Sequence, residues 1–147
     1  MFPRKLENFY THSRYIAEFW NTISNLPFII IGFLRLSESN IFQVNILYFF
    51  FMMAGLCSAY HHSHPKKWTI IIDWIPISIS IGLCFRYSIF QYLSWISIFK
   101  LSIAFWSLIT DHIWTPVNVP WGHVFWHILA SFAIDSTYQD FKLLYRI

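Results

Sequence analysis

The sequence predicts an all-α protein, a polytopic transmembrane helix bundle of about five spans, and three observations predict it. The first is composition: of 147 residues, 56% are hydrophobic, 22% aromatic and only 12% charged, about half the charged share of a soluble domain. So short a chain has too little interior to bury that much Phe, Trp, Ile and Leu. The remaining apolar surface calls for hydrocarbon as its solvent. The second is a series of apolar runs of membrane-crossing length, separated by short polar breaks. The third is that the ionisable residues inside those runs gather on one membrane face.

The first span is expected from about Tyr15 to Leu34, stopping at Arg35, with Ser37-Glu38-Ser39-Asn40 as a polar turn. The second covers about Ile41 to Tyr60 and stops at His61-His62-Ser63-His64-Pro65-Lys66-Lys67. The third runs from near Trp68 to near Phe85, before Arg86, and Pro76 is expected to kink it. The stretch from Tyr87 to Ile113 is too short for two spans and too long for one. It is read as an interfacial segment to Trp95 and a span from about Ile96 to Ile113, with Lys100 reaching for the headgroups. The last span runs from Pro120 or Trp121 to about Tyr138. Residues Met1 to Arg14 are polar and basic, with no apolar core or small-residue cleavage site, so the first span is expected to stay as an anchor.

Several function classes are disfavoured. The net charge of +3 comes from scattered Lys and Arg, with no basic block for nucleic acid. Cys57 and Cys84 lie in apolar runs, as buried thiols do, and not in a disulfide framework. No repeat or linker divides residues 1–147, which read as one domain. The basic residues do not orient the bundle: Arg4, Lys5, Arg14, Lys66 and Lys67 fall on the N-terminal side, against Arg35, Arg86, Lys100, Lys142 and Arg146 on the other.

With five spans, one face receives Glu18, Ser58, His62, Asp73, Asp111, His112, His123 and His127. Splitting the stretch from Tyr87 to Ile113 in two would carry His123 and His127 to the opposite face, so the parity supports one centre. An ionisable group within a span costs about 2.5 to 3.5 kcal/mol on insertion scales, which makes function its default reading. His123 and His127 are one helical turn apart on one face. With His62 they form a three-histidine set with an open position, the arrangement of catalytic zinc. Zinc supplies a water whose pKa is lowered to about 7. Asp73 is placed to accept its proton or to orient a histidine. Ser58, one turn before His62, is placed to donate to a developing oxyanion.

Plainer readings stand beside these. His61 and His64 read as a wet interfacial loop. Asp111 and His112 read as solvated charge at a helix end, outside the centre. Glu18, Asn21 and Asn25 form one polar stripe, which can serve only to hold helices together. The Trp and Tyr residues near span ends form an aromatic belt. A haem protein with membrane histidines is a further alternative, but it leaves Asp73 and Ser58 idle.

The segment Tyr15-Ile-Ala-Glu-Phe-Trp-Asn-Thr-Ile-Ser-Asn25 resembles the opening signature of the alkaline ceramidases, within the CREST superfamily of membrane hydrolases and receptors. Ser58 with His62, then Asp73-Trp-Ile-Pro76, then His123-Val-Phe-Trp-His127-Ile-Leu are similar to later family motifs, in the same order. The resemblance covers most of the chain.

It implies a seven-helix fold that cleaves the amide of ceramide to a sphingoid base and a fatty acid. By this match His62, His123 and His127 hold zinc, Asp73 acts on the water and Ser58 assists the oxyanion. The resemblance also implies a calcium site, with Glu18, Glu7 and Asn8 as its ligands here. Arg4 and Lys5 stand where a further acid is expected, and two spans between the third and the penultimate are missing. Losing two spans preserves the parity but removes walls of a lipid cavity, which self-association of the shortened bundle would close. In a eukaryotic cell the resemblance implies a multi-pass protein of endomembranes of the ER/Golgi type. A non-catalytic, receptor-like relative that keeps its zinc is the alternative.

Overall fold

In the computed structural model, residues 8–86, 93–114 and 121–145 are described. They form six helices: α1 (Phe19–Ile23), α2 (Leu26–Glu38), α3 (Phe42–Ser63), α4 (Thr69–Arg86), α5 (Trp95–Trp114) and α6 (Trp121–Tyr145). The main pairings run α4 on α3, α3 on α2, α2 on α6 and α6 on α5, with α1 bridging α3 and α6.

The bundle is apolar outside and polar inside. Phe33, Phe42, Phe85, Phe99 and Trp95 are exposed, while Glu18, Asn21, Asn25, His62, Asp111 and His127 are buried. Water would reverse that distribution, whereas a bilayer selects it. The fold is therefore a helical membrane bundle. The stretches Phe19–Glu38, Phe42–Ser63 and Thr69–Arg86 are each long and apolar enough to cross a membrane. Helices α5 and α6, 20 and 25 residues long, fall where the remaining two spans are expected.

The first span differs from expectation by being broken. Pro27 has no N–H to donate, and it sits in the first turn of α2. The chain tightens just before it: Asn25 N–H reaches the Thr22 carbonyl at 3.3 Å, and helical bonding restarts with Phe28 N–H on the Asn25 carbonyl at 3.1 Å. At its other end α2 runs on through Ser37 to Glu38, where a turn is expected. Arg35 explains the extension. Its guanidinium pairs with Asp135 of α6 at 2.6 Å and with Glu38 one turn on, and lies 4.7 Å over the Tyr138 ring.

Two glycines set the α2–α3 contact. A Cβ on Gly32 would stand 2.7 Å from the Met52 Cβ, and one on Gly55 2.7 Å from the Phe28 Cβ. Close backbone approach through small residues is a usual way for membrane helices to associate. Helix α3 continues through His61 and His62 to Ser63 and ends at His64, whose place before Pro65 disfavours helical geometry. Helix α4 carries Pro76 inside it, and the Ser80 hydroxyl takes up the Pro76 carbonyl at 2.8 Å.

Helix α5 matches the predicted fourth span within a residue at each end. The predicted interfacial segment falls mostly on residues 87–92, which lie outside the described residues. Lys100 donates to the Ser136 hydroxyl on α6. Helix α6 runs seven residues beyond the predicted Tyr138. Tyr138 and Phe141 pack there with Val44, Leu47 and Tyr48 of α3 in the main apolar cluster, and Asp140 accepts the Ser94 N–H at 2.9 Å. Both cysteines are free thiols.

Candidate metal centre

The polar residues meet where the end of α3, the start of α6, the end of α5 and α1 converge. The break after α1 positions this corner. It frees the segment from Ala17 to Asn25 to lie against α3, with Ala17 N–H on the Ser63 carbonyl at 3.1 Å and Glu18 N–H on the His62 carbonyl at 3.0 Å. His62, in the last turn of α3, then faces His123 and His127, one turn apart on α6. Ring centroids are 5.0 Å apart for His62–His123, 5.4 Å for His62–His127 and 4.6 Å for His123–His127. One ring nitrogen from each lies within 4.8 Å of the other two. A tetrahedral zinc bound at about 2.0 to 2.1 Å holds its ligand nitrogens about 3.4 Å apart, so small ring movements bring the set to that geometry.

Each of the three rings has its Nδ1 engaged. Glu18 Oε2 lies 2.6 Å from His62 Nδ1, with both side chains almost fully buried. Asp111 Oδ2 lies 3.2 Å from His123 Nδ1, and Ser24 Oγ 2.7 Å from His127 Nδ1. An ionised carboxylate only accepts hydrogen bonds, so His62 and His123 carry their proton on Nδ1. Ser24 gives its one hydrogen to the Asn21 carbonyl at 2.9 Å, so it too accepts from the imidazole, and His127 shares that tautomer. In every ring the lone pair therefore resides on Nε2. His62 Nε2 is buried without a hydrogen-bond partner, which is costly unless an electrophile takes the lone pair. The donor set fits a borderline-soft divalent ion that accepts three neutral imidazoles, as zinc does.

Ser58 and Asp73 form a second group. Ser58 is buried on α3 one turn before His62, and its side chain hydrogen-bonds Asp73 of α4. Asp73 Oδ1 is buried and makes no hydrogen bond, so it keeps its accepting capacity.

Of the residues expected at calcium, Glu18 and Asn8 are described. Glu18 turns its carboxylate to His62, and Asn8 is exposed, its carbonyl accepting from the Thr11 hydroxyl at 2.8 Å. Glu7 lies outside the described residues. The described residues thus lend calcium no support.

Two residues with no assigned part in the centre turn out to face it. Ser24 belongs to the same polar segment as Glu18, Asn21 and Asn25, and that continuity was the available signal. Asp111 reads as solvated charge in the sequence, yet it is fully buried; its place on the shared face was the sign to follow. The side chain of His112 lies outside the described residues. His61 also departs from the loop reading: it is buried in α3, with Nδ1 2.8 Å from the Thr69 hydroxyl. His64 is exposed, as that reading expects.

No curated protein and no solved structure matches the chain. A protein-family model described as Ceramidase does match, over residues 7–114. That stretch contains Glu18, Ser24, Ser58, His62, Asp73 and Asp111, and ends before the two histidines of α6. It takes in well over half of the 147 residues: the chain belongs to the ceramidase family of hydrolases.

Proposed function

We propose that the protein is a zinc-dependent membrane amidohydrolase that cleaves the N-acyl amide of ceramide or a related lipid. The observation that carries this reading is the convergence of His62, His123 and His127, one ring nitrogen of each within 4.8 Å of the others, with every Nδ1 against an oxygen partner. Bound there, zinc would supply Lewis acidity toward the amide carbonyl and a water acidic enough to act at neutral pH.

The protein's own groups supply the rest. Asp73 Oδ1, buried and without a partner, takes the proton from the attacking water and delivers it to the amine as the C–N bond breaks. Ser58, whose hydroxyl donates to the Asp73 carboxylate, turns that one hydrogen to the carbonyl oxygen as it gains charge, once Asp73 has taken the proton. The acyl carbon keeps the water oxygen and leaves as a fatty acid, and the protonated amine leaves as a sphingoid base. The apolar exterior lets both tails remain in the bilayer while the amide reaches the polar end of the bundle. In this reading α5 and α6 complete a five-span, multi-pass protein, of endomembranes in a eukaryotic cell.

The test is hydrolysis of a fluorescent ceramide by detergent-purified protein, with zinc quantified on the same sample. Near one zinc per chain, with turnover lost in His62→Ala, is the expected result. Zinc without turnover on ceramide or other N-acyl lipids would favour the non-catalytic relative, and absence of zinc would overturn the reading.

A further inference from the structure

Of the three ligand rings, His123 is the most open. Its side chain keeps 14% of its exposure, against 3% for His62, and His127 is buried as well. The other two are held by the segment around α1: Glu18 bonds His62 through both carboxylate and backbone, and Ser24 bonds His127. His123 is held from elsewhere, by Asp111 on α5. That helix packs chiefly on α6.

The seam that α5 presents is spaced in sevens. Ser97, Ala104 and Asp111 are each 1% exposed or less. A seven-residue spacing keeps one face of a helix against its partner, and small residues at the first two positions suit close packing. A carboxylate at the third does not. Burying an ionised carboxylate costs several kcal/mol unless hydrogen bonds and opposite charge offset it. The Nδ1–H of His123, 3.2 Å away, is a donor it meets, and that donor grows more positive when Nε2 binds a cation.

We propose that Asp111 is the positioning residue of His123: it fixes the Nδ1–H tautomer, aims Nε2 at the shared metal position and raises the basicity of the ring. The inference rests on the zinc reading above. It also gives α5 a part in the centre that packing against α6 alone would not. Carboxylates behind metal-binding histidines typically change metal affinity by about 10- to 100-fold.

The test uses the full-length, detergent-purified chain and its Asp111→Asn and Asp111→Ala variants. Zinc affinity is read by competition with a chromophoric chelator, and thermal unfolding is followed in zinc-free and zinc-loaded protein. Asp111→Asn keeps the size of the side chain and an accepting oxygen but removes the charge. It is expected to lower zinc affinity about tenfold and to leave the zinc-free midpoint unchanged, with Asp111→Ala lowering affinity further. Wild-type affinity in Asp111→Asn, with a lowered zinc-free midpoint in either variant, would show a packing role only and overturn the proposal.

Should either variant fail to fold, nitrogen NMR of the histidine rings in wild-type protein decides. A His123 protonated at Nδ1 with and without zinc supports the assignment, and one protonated at Nε2 overturns it. A wild-type protein that binds no zinc would remove the zinc reading itself, whereas one that binds zinc with Asp111 indifferent removes only this inference.

Discussion

Ser24 and His127 stand 103 residues apart in the chain, yet the Ser24 hydroxyl lies 2.7 Å from His127 Nδ1. The contact joins the break after α1 to the first turns of α6, and it bears on the tautomer of one of the three clustered histidines. Because Ser24 already donates to the Asn21 carbonyl, only the imidazole is left to donate to it.

Ser24→Ala removes the acceptor and leaves a buried Nδ1–H with one partner fewer. Zinc affinity should fall about tenfold, and stability by about 1 kcal/mol. Chelator competition and thermal unfolding of the same sample check both, and an unchanged affinity would count against the tautomer argument.

His127→Ala takes away one of the three ring nitrogens proposed to hold zinc. Bound zinc and lipid-amide hydrolysis should be lost together, as measured by metal analysis and product formation. Full activity in this variant would remove the centre from consideration.

Asp73→Asn separates binding from chemistry. The amide keeps its contact with Ser58 but no longer takes a proton, so turnover should drop by about 10²- to 10⁴-fold. Zinc content should stay near that of the unmodified protein, since Asp73 lies outside the three-histidine set proposed to hold it. Loss of zinc alongside turnover would place Asp73 in the metal shell.

Gly55→Leu tests how closely α2 and α3 approach. Even a Cβ there would stand 2.7 Å from the Phe28 Cβ, so a longer side chain forces the helices apart. Overpacking of this kind costs about 1 to 3 kcal/mol or more. The unfolding midpoint should fall, and zinc affinity with it, because α2 continues from the segment that carries Glu18 and Ser24. Gly82→Leu is the control, since a Cβ at Gly82 meets nothing within 4 Å and the variant should unfold like the parent.

Much of this protein is determined by sequence alone. Composition and the length of the apolar runs dictate a helical membrane bundle, because backbone N–H and C=O groups in hydrocarbon must be satisfied within a helix. Parity then puts His62, His123 and His127 on one face, whatever the details of packing. The one-turn spacing of the α6 pair needs only helical periodicity.

Tertiary structure decided the rest, because axial rotation and helix ends are set by neighbours. The polar turn expected at Ser37–Glu38 stays helical because Arg35 finds Asp135 and Tyr138 on α6. Helix α6 outlasts its apolar run because Tyr138 meets Tyr48 and Phe141 joins the same cluster. Glu18, expected at a calcium ion, and Asp111, expected in water, both turn to imidazoles. A sequence shows which residues are too polar to face lipid, but it does not show which of them face each other. That depends on how each helix rotates to offset its buried charge, and the outcome exists only once all of them have packed.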